Sequence, residues 1–285
     1  MIIRPLTIAL PILLAGSAAS WAETSAPVGD DVIAAQNAAL LAATEGKGYG
    51  PQSPRDITAV EGSNARVFQP APPAAEMNLC NIHLHEGAEH RGGEFTTYAG
   101  NGDGAGYGSG YLYDGTLTEA ELAPIDQPVG RVGHGDLTPG DTIEVHYVFT
   151  TAQVAPGPTL GACMNEASAN PQLRVEAQVM VLVNDTAAAD FTELTQISEV
   201  EGRHQPVNLP TDTGEPVEYA GSTTGPGYNE AGSPLQVSWA VRPEVVKVNI
   251  ASLDAWFKDN VFDEDHAHGV RNLVVEDALL SPIGD

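Results

Sequence analysis

Asn81-Ile82-His83-Leu84-His85 alternates polar and apolar side chains residue by residue, and Glu144-Val145-His146-Tyr147-Val148 repeats the alternation further along the chain. Successive side chains on a β-strand point to opposite faces, so strands are the conformation that sorts such a pattern. Asn81, His83 and His85 then share one face, with Ile82 and Leu84 on the other. Glu144, His146 and Val148 share a face of the second strand. Two neighbouring strands of this kind bring three imidazoles to one point, with an amide and a carboxylate one step behind.

The first residues, MIIRPLTIALPILLAGSAASWAETSA, hold one positive charge (Arg4), a short apolar run from Leu6 to Ala15, and then small residues. This is the pattern of a secretory signal peptide at 1–22, cleaved after Ala22. A membrane anchor needs roughly 20 apolar residues, more than this run offers, and no other long apolar segment follows. The mature chain, 23–285, is expected to be exported, periplasmic or secreted, and large enough for one sizeable core. Two cysteines, Cys80 and Cys163, fall within it. In an oxidising compartment they are expected to form a disulfide; the competing reading pairs Cys80 with His83 as a Cys-x-x-His metal site. Acidic residues outnumber basic ones 38 to 12, for a formal net charge of −26. That charge argues against nucleic acid or an anionic membrane as a partner, and its scatter along the chain reads as a solvated acidic surface.

Asp30 to Thr44 is alanine-rich with helical spacing, and Asp30 or Asp31 is placed to cap its start. With the irregular, proline-rich stretch that follows, it makes 23–75 an N-terminal helix and lead-in. Beyond it the pattern is mainly β, with strands expected at Asn78–His85, Thr142–Thr150, Leu173–Val183, Leu235–Val241 and Val245–Ile250. Glycine-rich loops intervene at 100–111 and 220–234, and Ser252–Lys258 is expected as a short helix capped by Ser252. Long loops on an extended sheet suggest a single domain. The stretch GNGDGAGYG is superficially a phosphate cradle, but it lacks the Gly-Lys-Ser/Thr ending and a strand-to-helix setting, so it reads as a covering loop.

Three neutral imidazole nitrogens with an open fourth position suit a catalytic zinc ion. His-x-His on one strand with Glu-x-His on another supplies that set on the correct parity, together with a supporting carboxylate. Asp265-His266-Ala267-His268 is a second His-x-His, flanked by Asp263 and Glu264. It lacks an evident third ligand and reads as a hydrogen-bonded C-terminal turn, with a surface metal site as the alternative. His90, His134 and His204 have no spacing that argues for ligation.

Across nearly the whole mature chain the sequence resembles the delta-class carbonic anhydrases, on the stretches NLCNIHLHEGAEH, GDTIEVHYVF, NPQLRVEAQVMVLVND, AGSTTGPGYNEAGSP and NVFDEDHAHGVRNL. A more distant likeness is to the alpha class. Its Gln-Ser-Pro-x-Asp-Ile lies at Gln52 to Ile57, and its His-x-His-x-x-x-Glu-His at His83, His85, Glu89 and His90. Glu-x-His lies at Glu144 and His146, and Val-x-Trp at Val237 and Trp239. The Tyr-x-Gly-Ser-x-Thr-Thr loop, one residue shorter, is Tyr219, Gly221, Ser222, Thr223 and Thr224. The chain departs from the alpha pattern in a longer stretch between Glu89 and Glu144 and an insertion at Gly225–Gly232, and no histidine matches a proton shuttle.

The resemblance implies a mainly β, alpha-carbonic-anhydrase-like domain built on a large, mostly antiparallel twisted sheet with a few short helices. It implies Zn²⁺ held by His83, His85 and His146, and reversible hydration of CO₂ to bicarbonate through zinc-bound hydroxide. Asn81 would accept from the free ring nitrogen of His83, and Glu144 from that of His146. The Thr223 hydroxyl, or that of Thr224, would orient the hydroxide and donate to Glu89. Val148, Val237 and Trp239 would wall the CO₂ pocket, their alternative being ordinary core packing. Two rivals remain. A cupin would use Glu89 as a ligand, but the glycine expected after it is Thr96, and Pro139-Gly140 leads to His146 at the wrong spacing. An exported zinc-sequestering protein would need neither Thr223 nor Glu89.

Overall fold

A computed structural model describes residues 26–59, 61–66, 68–130, 136–168, 170–223 and 230–283. The expected signal peptide, His134 and Thr224 lie outside them. Helix α1 (Asp30–Thr44) comes first. The strands β1 (Asn78–Glu86), β2 (Thr97–Tyr98), β3 (Tyr111–Leu112), β4 (Thr142–Thr150) and β5 (Leu173–Val183) follow. Then come helix α2 (Phe191–Leu194) and the strands β6 (Ile197–Val200), β7 (Arg203–Pro206), β8 (Val217–Ser222) and β9 (Gln236–Asn249). Helix α3 (Ile250–Lys258) and β10 (His268–Gly269) complete the order.

The main sheet runs β10-β1-β4-β5-β9-β8. It is mixed, which corrects the expectation of a mostly antiparallel sheet. Pairings β1–β4, β4–β5 and β8–β9 are antiparallel, whereas β1–β10 and β5–β9 are parallel. Parallel neighbours need a long crossover. Between β5 and β9 the chain supplies one, through α2, the β6–β7 pair and the edge strand β8. Side-chain alternation reveals which face a residue occupies but not the direction of the neighbouring strand.

Local corrections have local causes. The strands expected at Leu235–Val241 and Val245–Ile250 form one long β9 that carries Pro243 in its middle. Proline cannot donate to a ladder and is tolerated at irregularities. The β5–β9 register shifts there, between Gln178 and Met180. The freed groups find other partners: Glu94 N donates to Pro243 O at 2.9 Å, and Gln178 Nε2 to Glu244 O at 2.9 Å. The glycine-rich segment from residue 220 begins inside β8 rather than as loop. Helix α1 follows Gly29 without a side-chain cap, and Asp30 and Asp31 sit in its first turn, where acidic charge suits the helix dipole. Asn249, not Ser252, caps α3, accepting from Ala251 N at 3.1 Å; Ser252 instead receives Phe191 N at 2.8 Å.

Each sheet face carries its own apolar cluster. Ile82 and Leu84 of β1, Val145, Tyr147 and Phe149 of β4, and Met180 and Leu182 of β5 pack with Phe191, Leu253, Trp256 and Phe257 of the helices. The opposite face joins Cys80, Val148, Val175, Ala177, Tyr219, Val237 and Trp239. A bulge between Leu79 and Asn81 separates the two sets on β1. In a regular strand Leu79 would share parity with Asn81 and the histidines; the bulge turns it to the other face, where it joins the helix-side core.

The bulged residue, Cys80, is disulfide-bonded to Cys163, 83 positions away. Gly157 N donates to Cys80 O at 3.0 Å, and Asn81 Nδ2 to Gly157 O at 3.1 Å, so the cross-link anchors the loop that holds Asn81. Closing a loop of this length restricts the unfolded chain by roughly 4.5 kcal/mol on the entropic account, and measured effects are typically about 2–4 kcal/mol. Cys163→Ser should therefore lower the denaturant-unfolding free energy of the metal-free protein by about 2–4 kcal/mol. An unchanged midpoint would show that the bridge adds nothing.

Candidate metal centre

The β1–β4 register sets Asn81 against Val148, His83 against His146 and His85 against Glu144. Both strands turn these side chains to the same face, and the three imidazoles meet. His83 and His146 ring centroids lie 5.0 Å apart, His85 and His146 4.8 Å, and His83 and His85 5.3 Å.

Hydrogen bonds decide which nitrogen each ring presents. Asn81 gives its amide N–H to Gly157 O, so its oxygen faces His83 Nδ1 at 2.6 Å and must accept from it. His85 Nδ1 donates to the Gly269 carbonyl at 3.1 Å, and His146 Nε2 to Glu144 Oε1 at 2.8 Å. The nitrogens without protons are therefore His83 Nε2, His85 Nε2 and His146 Nδ1. His146 Nδ1 and His83 Nε2 are 3.2 Å apart, and one nitrogen from each ring fits within a 4.8 Å group. His85 Nε2 is buried with no hydrogen-bond partner. Three converging lone pairs, one of them buried and unpartnered, fit a divalent cation that takes imidazole, such as zinc.

Electrostatics keeps His83 and His85 in that form. Burial, only partly offset by Glu89, pulls the His85 pKa from 6.5 down to about 4. Burial and the neighbouring His146 and His85 hold His83 well below 6.5. Burial alone would raise the Glu144 carboxyl, but His90 and His146 hold it well below its ordinary value. Glu144 accepts at both oxygens: Oε1 from His146 and from His90 Nδ1 (2.6 Å), and Oε2 from the backbone N–H groups of Glu89 (2.8 Å) and His90 (3.1 Å).

A second close group among the described residues is His90, Glu144 and His146. Its imidazole nitrogens already donate to the carboxylate, so it supports the first group rather than offering another metal site. His90 was not singled out by spacing; its place directly after Glu89 in the His-x-His-x-x-x-Glu-His pattern was the available signal. Nor did alternation warn of His268. Through β10 it sits across from His85, with its ring 5.9 Å from those of His83 and His85. Its Nε2 pairs with Glu264 at 2.8 Å, which raises its pKa against the opposing effect of burial. At 43% side-chain exposure it links the cluster to solvent. His266 pairs with Asp265 at 2.6 Å, and the Asp265–His268 stretch is not among the close three-ligand groups of the described residues.

The remaining expected site residues divide. Val148, Val237 and Trp239 lie in one apolar cluster, and the Trp239 ring is 5.0 Å from that of His146. Glu89 is buried, but among the described residues no hydrogen bond joins it to Thr223. Its Oε1 accepts from Arg271 N at 3.0 Å and lies 3.5 Å from His85 Nδ1. Thr223 is buried with its hydroxyl 3.4 Å from Ser233 Oγ, immediately before a segment outside the described residues.

A family model described as delta carbonic anhydrase matches residues 74–252. No curated protein matches the chain. Solved structures similar to it include an alpha-carbonic anhydrase from Thermovibrio ammonificans in complex with the inhibitor sulfanilamide, 15% identical, covering 78% of this chain and 84% of its own, with a TM-score of 0.26. Another is Photobacterium profundum alpha-carbonic anhydrase, 16% identical over 80% of this chain and 88% of its own, also with a TM-score of 0.26. Scores this low carry no structural inference.

The depressed His85 pKa has a signed consequence. Between about 6.5 and about 4 the unfolded chain binds a proton at His85 that the folded chain refuses. The contribution is complete above the unfolded value and is lost as pH falls through that window. His268, with a raised pKa, works in the opposite sense. The metal-free protein should thus lose less stability between pH 7 and pH 5 when His85 is replaced by glutamine, as read from urea midpoints. Equal losses in wild type and His85→Gln would contradict the assignment.

Proposed function

The chain belongs to the delta carbonic anhydrase family, enzymes that interconvert CO₂ and bicarbonate, and we propose that it works with a zinc ion held by His83, His85 and His146. The convergence of the three unprotonated ring nitrogens carries this reading. Because all three rings are neutral, the ligand set leaves the charge of a divalent ion undiluted. Zinc in such a site supplies a Lewis acid that lowers the pKa of a coordinated water from about 15.7 to about 7, carbonic anhydrase being the standard example of that value.

The chain's own groups would do the rest. Asn81, the Gly269 carbonyl and Glu144 hold the rings in the required tautomers, which keeps their lone pairs aimed inward. The Thr223 hydroxyl is proposed to accept a hydrogen bond from the attacking water and so to orient it. Glu89 is proposed to aim rather than ligate, through its position beside His85 and the Arg271 amide. Val148, Val237 and Trp239 would give non-polar CO₂ a wall that water does not contest. All three are buried in one cluster, whose Trp239 lies beside His146, which supports the reading.

No described helix is long and apolar enough to cross a membrane. The disulfide and the secretory pattern of residues 1–22 support the reading of an exported single-domain enzyme.

Stopped-flow CO₂ hydration before and after chelation tests the zinc requirement. Stripping the metal should reduce the rate to background and zinc should restore it; His146→Ala should lose most bound zinc and stay at background. A full rate in stripped protein would reject the mechanism, and zinc binding without hydration would favour sequestration. Glu89→Ala should retain zinc while turnover falls, by up to roughly 100-fold if aim is lost. Loss of zinc from that variant would make Glu89 a ligand, as in a cupin.

A further inference from the structure

Behind the three histidines a chain of buried polar groups continues beyond Glu144, and its far end has no part in the mechanism above. Tyr219 Oη lies 2.5 Å from His90 Nε2, and Ser53 Oγ lies 3.2 Å from the same phenol oxygen. His90 Nδ1 and His146 Nε2 meet at Glu144 Oε1, at 2.6 and 2.8 Å. His90 and Glu144 are wholly buried, and Tyr219 nearly so.

Donor bookkeeping assigns the protons along this chain. An ionised carboxylate only accepts, so both imidazole nitrogens facing Glu144 carry hydrogen. His90, with its proton on Nδ1, has a bare Nε2 that needs a donor, and the Tyr219 hydroxyl provides it. Glu144 keeps the proton of His90 on Nδ1, so without the phenol donor Nε2 becomes a buried acceptor with no partner. The ring is then held by side-chain hydrogen bonding at Nδ1 alone and can turn about that bond. Glu144 would turn with it, and so would the hydrogen bond that orients His146. Arg55, whose guanidinium lies 4.8 Å over the Tyr219 ring, adds a buried positive charge on the side that favours phenol donation.

We propose that Tyr219 is a positioning residue of the metal centre, acting through His90 and Glu144 to keep Nδ1 of His146 aimed at the ion. This rests on the reading of His83, His85 and His146 as zinc ligands. The competing role for Tyr219 is to fill space. Its ring stacks on Trp239 at 6.2 Å with planes 5° apart. Phenylalanine would preserve that stack and remove only the hydroxyl.

Tyr219→Phe therefore isolates the inference. Zinc affinity, measured by competition with a chromophoric chelator on wild type, Tyr219→Phe, Glu144→Gln and the double variant, should fall about tenfold in Tyr219→Phe, at the lower end of what loss of a ligand's hydrogen-bond partner produces. In the double variant the tyrosine change should add no further loss, because its route through Glu144 is already cut. The visible absorption bands of the cobalt(II)-loaded Tyr219→Phe protein should shift as the His146 ring turns, which a space-filling role would not cause. Wild-type affinity with an unshifted cobalt spectrum, or losses that simply add in the double variant, would overturn the proposal. If Tyr219→Phe does not fold, Ser53→Ala decides: a smaller weakening in the same direction supports the proposal, and unchanged affinity overturns it. Failure of the ligand reading looks different, since wild type would then bind no zinc or His83→Ala would bind it equally well.

Discussion

Four N–H groups hold the charge of Glu144 in the interior. Two come from imidazoles and two from the backbone of Glu89 and His90. Burying a carboxylate is costly unless its lone pairs are satisfied, and here every direction is used. Three of the four bonds tie β4 to the turn that follows β1, so the carboxylate fastens the two strands that carry the histidines. Removing any one donor leaves a buried charge under-satisfied. The His146 tautomer, the position of His90 and the path of residues 87–90 therefore stand or fall together.

From that anchor the site follows by register. Antiparallel pairing sets His83 against His146 at the centre of the face, with Asn81 and Glu144 at flanking positions. Each supporting group fixes one ring nitrogen as a donor and leaves the other bare. The disulfide and the bulge at Cys80 hold Asn81 from its other side. Beneath the histidines, Trp239 packs against both His146 and His90, giving the cluster an apolar floor. Rigid strands rather than loops carry the proposed ligands, which suits a site whose work depends on aim.

Much of this was legible in the sequence because the governing rule is local. Alternation placed β1, β4 and β5 almost residue for residue, and it assigned Asn81, His83, His85, Glu144 and His146 to a common face. What it could not supply was non-local. The parallel β5–β9 pairing depends on a crossover through four intervening elements, and His268 joins the cluster only because β10 pairs with β1. The two strands expected at 235–241 and 245–250 are one, because β9 runs through Pro243 with a register shift. Tyr219 was legible as part of a motif but not as a donor to His90, since nothing in the spacing of residues 90 and 219 places them in contact.

Three named atoms would hold the zinc, and anomalous diffraction at the zinc absorption edge locates the ion against them. One buried peak is expected about 2.0–2.1 Å from His83 Nε2, His85 Nε2 and His146 Nδ1. A peak lying instead among His90, Glu144 and His146, one confined to His266 and His268, or ligation through the opposite ring nitrogens would contradict it.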